Sequence, residues 1–114
     1  MNVKLVNLLL DDVYKTLKNH LIGFEVYWSL IQGGGTVGYF QIKKKVPFLW
    51  WWTRMKNIGE IRYSVSAPYM VFDMWDEADY HALSGNLKNM EADLKRRGFL
   101  TRYNEIDVNI GVKR

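Results

Sequence analysis

Trp50, Trp51 and Trp52 stand in a row, with Lys43, Lys44 and Lys45 before them and Arg54 and Lys56 after, and this stretch constrains the fold more than any other. Successive side chains of an extended strand point to opposite faces, so a strand here places Trp50 and Trp52 together and Trp51 opposite them. Both faces then need an apolar neighbour. A helix would fan the three indoles around most of its circumference, and Pro47 just upstream disfavours one. The expectation is therefore a strand whose Val46, Phe48, Trp50 and Trp52 face the helices of the fold, with Trp51 on the open side beside the charges. Trp50 is then a core residue and Trp51 a binding residue.

On either side of this stretch the hydrophobic period changes. Between residues 3 and 20, Val6, Leu9, Leu10, Val13 and Leu17, followed by Leu21, recur at the spacing of one helical face, and Gly23 stands where a left-handed cap would end the helix. The competing assignment is a strand over 3–10, with Asp11 capping a shorter helix. Residues 24–31 alternate Phe24, Val26, Trp28 and Leu30 against polar neighbours, and the pattern resumes at 36–43 after Gly33, Gly34 and Gly35, which predicts a hairpin. A phosphate loop would need a helix after the glycines, whereas a strand follows.

Asn57, Ile58 and Gly59 read as the next turn. Residues 60–66 then alternate cleanly, with Ala67 and Pro68 as a bend or bulge before an apolar run at 69–72. The second helix starts at Asp73 or Asp76, carries a stripe of Tyr80, Leu83, Leu87, Met90 and Leu94, and ends at Gly98 after Lys95, Arg96 and Arg97. Ile106, Val108, Ile110 and Val112 close the chain as a strand. The predicted fold class is α+β, one domain over 1–114, with an antiparallel sheet of about five strands and two helices on one face, in the order α-β-β-β-β-α-β.

The 114 residues suit a single core, and 48% hydrophobic with 25% charged residues is globular composition. Aromatics reach 15%, more ring surface than a small core hides, which favours a homo-oligomer or a binding face. The net charge of +4 and a pI near 9.3 allow attraction to phosphate or to acidic protein surfaces. There is no cysteine, so disulfides, thiolate chemistry and Cys-ligated zinc are excluded. The N-terminal apolar run is too short and polar for a signal peptide or a spanning helix, so a soluble, cytoplasmic protein is expected.

Catalytic candidates are few, and a small enzyme is the less favoured reading. Residues 76–79 spell Asp-Glu-Ala-Asp, a helicase motif, but without a phosphate-binding loop the carboxylates read as a helix start. Glu77, Asp79 and His81 are too few for a metal site without distant help. Glu105 and Asp107 would share a strand face, as alternating polar residues on a wet strand do. The expected function is non-catalytic binding with no cofactor. The partner is a protein or a second copy of the chain, engaged by a surface drawn from Lys43, Lys44, Lys45, Arg54, Lys56 and Arg62 with Trp50, Trp51 or Trp52, of which strand parity favours Trp51. The same residues support an alternative, single-stranded nucleic acid, with indoles stacking on bases and cations tracking phosphates. A membrane surface is not expected, because no amphipathic helix protrudes. In kind, a small cysteine-free chain with an aromatic, basic surface is similar to the accessory and inhibitor proteins of phages and plasmids, a resemblance that no motif carries.

Overall fold

The computed structural model describes residues 3–32, 37–65, 68–103 and 105–111. Helix α1 (Val3–His20) leads into β1 (Glu25–Gln32), β2 (Val37–Phe48), β3 (Trp52–Ser64) and β4 (Tyr69–Met74), and α2 (Glu77–Arg96) returns the chain to β5 (Asp107–Ile110). The glycines at 33–35, with Thr36, Ser66, Ala67 and Val112, lie outside the described residues. The strands form one sheet in the spatial order β1-β2-β3-β4-β5. The first three pairings are antiparallel, while β5 joins β4 in parallel, so the sheet is mixed rather than wholly antiparallel. A helix between two neighbouring strands brings the chain back to the end where it began, which makes the second strand parallel to the first.

The helical period of residues 3–20 prevails over the strand alternative. Leu10, Val13, Thr16 and Leu17, and then Leu21, are buried along one stripe, and Gly23 adopts φ 90° just past the helix end. In α2 the stripe of Leu83, Leu87, Met90 and Leu94 is buried as expected. Its end is a Schellman motif, in which Phe99 N–H donates to the Leu94 carbonyl and Gly98 N–H to that of Lys95, with Gly98 at φ 82°. Both stripes pack on one face of the sheet, against Val26, Phe40, Ile42, Ile61, Tyr63, Met70, Phe72 and Met74. Tyr63 ties the sheet to the α2 cap by donating its hydroxyl to the Phe99 carbonyl at 2.5 Å, and burial pushes its pKa up to about 12.

The two helices are also joined by charge. His20 Nε2 lies 2.8 Å from Asp93 Oδ2, and Arg96 and Arg97 reach the other carboxylate oxygen. These hydrogen bonds, that of His20 foremost and then that of Arg97, hold the Asp93 carboxyl well below the usual carboxylate range. The folded chain therefore resists protonation at Asp93 more than the unfolded chain does. The stabilisation from this group is complete above the ordinary carboxylate value and is lost as pH falls from about 4 towards the folded value. Asp93→Asn is expected to narrow the gap between urea midpoints at pH 6 and pH 3. A gap as wide as that of the parent chain would mean that other carboxylates set the acid limb.

Two boundaries differ from the sequence expectation. Asn57, Ile58 and Gly59 are not a turn but a bulge inside β3, where Ile42 pairs with Gly59 and Lys43 with Asn57, so that Ile58 is extra and is buried in the core. Glycine is needed at 59 for close approach, because a Cβ there would stand 2.8 Å from the Asp73 carbonyl oxygen and 2.9 Å from Met74 sulfur. Residues 60–64 and 69–72 belong not to one bulged strand but to the neighbouring strands β3 and β4, with Ser64 paired to Tyr69. Among the described residues no helix is long and apolar enough to cross a membrane.

Candidate functional site: a basic arm with an indole tip

The sheet's neighbours stop short of the ends of β2 and β3. Strand β1 last pairs with β2 at Lys43, and β4 last pairs with β3 at Gly59. Beyond these points the Trp75 N–H donates to the Ile58 carbonyl in β3, and further out, among the described residues, β2 and β3 pair with each other alone, through Lys44 with Lys56, Lys45 with Met55, Val46 with Arg54, Pro47 with Thr53 and Phe48 with Trp52. Five pairs at about 3.4 Å per residue make an arm about 17 Å long. The molecule measures 49 × 26 × 25 Å, with a radius of gyration of 14.4 Å, whereas a compact chain of this length has about 13 Å.

Leu49, Trp50 and Trp51 form the turn at the end of the arm and Trp52 opens β3, so the expected continuous strand over residues 46–52 is instead the end of β2, a turn and the start of β3, and no single strand parity sorts the three indoles. Trp50 is 97% exposed, Trp51 78%, Trp52 60% and Leu49 54%. The expectation that Trp50 and Trp52 pack beneath the helices is thus overturned. The flanking strands stop pairing before the arm begins and α2 reaches only its root, through Asp79 and Lys44, so the indoles at the far end stay largely in solvent. Leu49 sits at φ 63°, a left-handed conformation that costs a non-glycine residue about 1–2 kcal/mol. Strain of this kind persists where the surrounding structure over-determines it, and it clusters at functional sites.

The nine residues expected to bind are divided by the structure into those on the outer arm and those engaged elsewhere. Lys44 turns towards α2 and donates to Asp79, whose side chain is only 6% exposed. That contact neutralises one of two like charges placed directly opposite each other, Lys44 and Lys56. Lys43 lies over the Tyr27 ring at 5.2 Å from the centroid. Arg62 stays in the sheet proper, its Nε 3.4 Å from Asp73 Oδ2, and Asn109 donates to the other oxygen of Asp73 at 2.9 Å. Lys45, Arg54 and Lys56 are exposed on the arm with Trp50, Trp51 and Trp52. Among the described residues Lys45 and Lys56 have no ion pair.

The sequence reading missed Leu49 as part of the tip and Asp79 as the partner of Lys44. A tight turn is usually signalled by glycine or asparagine, and here leucine takes the left-handed position, so no turn signal was present. Asp79 looked like an ordinary helix-start carboxylate. Its place three residues inside α2, next to the buried stripe, was the available sign that it points inward. Asp79 is therefore turned away from Glu77 and His81, which meet in solvent at 3.3 Å. Among the described residues no three metal-binding side chains come together.

Five of the chain's 16 cations and none of its 12 acids fall between residues 43 and 56. The site is therefore an apolar tip on a cationic shaft, carried clear of the body by its own backbone ladder. No protein-family model, no curated protein and no solved structure matches the chain.

Proposed function

We propose that this chain is a non-catalytic binding protein that acts through the β2–β3 arm on a protein partner, as small accessory or inhibitor proteins do, in a reducing cytoplasm. The observation that supports this is the exposure of Leu49, Trp50, Trp51 and Trp52 together at the end of a projecting element. Monomeric soluble proteins rarely expose a contiguous apolar patch of this kind, and such patches mark interaction sites. Tryptophan is also the residue type that most often anchors a protein interface. The tip packs on an aromatic or apolar surface of the partner, and Lys45, Arg54 and Lys56 meet acidic groups around it.

A photoreactive phenylalanine in place of Trp51 tests this in producing cells. The expected product is a covalent adduct to protein, which weakens when Lys45 and Lys56 are both changed to Glu. The run of cations without acids favours one second reading, single-stranded nucleic acid, in which the same probe yields a nuclease-sensitive adduct. Oligonucleotide affinity would then fall with salt at a slope of about −2 for the three exposed cations. Either of those results overturns the protein reading.

A further inference from the structure

We infer that the protein partner of the arm is a second copy of this chain, and that the receiving surface is the face of the sheet that the helices leave open. This rests on the reading of the arm as a protein-docking element. Residues directly opposite one another in register share a face, so the row Tyr39, Arg62, Val71 and Asp107 lies opposite the buried row Phe40, Ile61, Phe72 and Val108. Tyr69 continues the open face along β4, and Tyr27 adds a ring near the arm's base, so the surface presents aromatic area.

Charge separates this occupant from the others. Among the described residues the open face of the sheet carries four carboxylates, Glu25, Glu60, Asp73 and Asp107, against two cations, Lys43 and Arg62, one stacked on a tyrosine and the other beside Asp73. The arm carries cations only. An acidic, tyrosine-bearing face complements it, whereas a polyphosphate would be attracted by the arm and repelled by the face.

Dimensions agree. Five strands spaced about 4.8 Å apart span about 19 Å, close to the length of the arm. Covering three indoles removes about 500 Å² from water on the arm side. A similar area on the receiving side brings the total to about 1,000 Å², the lower bound of a specific interface. The tip is exposed within its own chain, so the contact joins different copies. Because it joins unlike surfaces, it builds rings or chains unless two copies exchange arms.

Sedimentation velocity with two variants, each changed only at exposed positions, tests the inference. Trp50→Ala/Trp51→Ala removes the tip, and Tyr69→Ala/Asp107→Lys alters the face. The parent chain is expected to assemble at micromolar concentration, each variant alone to self-associate at least tenfold more weakly, and an equimolar mixture to form a one-to-one dimer. In that dimer the intact arm of one variant meets the intact face of the other. Self-association of the face variant equal to that of the parent overturns the inference, as does a parent chain that stays monomeric. If the Trp51 crosslink nevertheless joins a different protein, the protein-docking reading stands while the second-copy assignment falls. A crosslinked species with the mass of two chains supports both.

Discussion

Phe40→Ala is expected to lose about 3–5 kcal/mol of unfolding free energy, whereas Trp50→Ala should stay within about 0.5 kcal/mol of the parent, although tryptophan is the larger side chain. Phe40 is fully buried at the centre of the sheet, with its ring centroid 4.8 Å from that of Trp28 and 6.2 Å from that of Tyr14. Truncation there removes the transfer free energy of the ring and leaves a cavity between two neighbouring strands and α1. Trp50 has almost its whole surface in water in the folded chain, so its removal changes little between folded and unfolded states. Urea unfolding of the two single variants at equal m value reads the difference directly. A large loss at Trp50 would mean that the tip folds back onto the body in solution, and the arm would not be available for docking.

The second large effect is expected at the root of the arm. Lys44→Ala leaves the Asp79 carboxylate, 6% exposed, without its counter-charge, and breaking a buried pair from one side typically costs 3–5 kcal/mol. The low end, about 3 kcal/mol, applies here, because Lys44 keeps about a third of its side chain in solvent and Asp79 lies in the first turn of α2, where the helix N-terminus favours negative charge. Replacing both partners by apolar residues, as in Lys44→Met/Asp79→Leu, should recover most of that loss, since neither buried charge remains. A double-mutant cycle of Lys44→Met and Asp79→Leu, each alone and both together, is the measurement, with Lys44→Met expected to show the same loss as Lys44→Ala. Recovery gives a coupling energy of opposite sign to the single losses, and simple addition of the two losses would show that Lys44 and Asp79 do not act on each other. The same cycle, read by quenching of tryptophan fluorescence, reports whether the pair also holds the arm's root against α2.

Much of the architecture was legible from residue spacing. The stripes Leu10, Val13, Leu17 and Leu83, Leu87, Met90, Leu94 carry the helical period, and a helix must bury its apolar face whatever surrounds it. Gly98 after Lys95, Arg96 and Arg97 announced its own cap. The alternation from Glu60 to Ser64 specified which side chains face inward, because a slip of one residue would reverse all of them. The candidate site was legible as a composition, cations flanking indoles, but not as a shape. Its cations were expected to act together, yet Lys44 is spent on Asp79, Lys43 on Tyr27 and Arg62 on Asp73.

What the sequence determined by itself is local: which segments are helical, which alternate, where glycine ends a helix, and that residues 43–56 carry only positive charge. The tertiary structure decided where β1 and β4 stop pairing, and with that whether residues 44–56 lie inside the sheet or project from it. The same run of Trp50, Trp51 and Trp52 would be core if a neighbouring strand continued beside it, and it is a tip because none does. An indole's burial depends on what other parts of the chain bring to it, and Asp79, 35 residues from Lys44, shows the same dependence for a charge. Local periodicity signals at most that such a side chain points inward and not which distant residue it meets, because that is set by the packing of whole elements against one another.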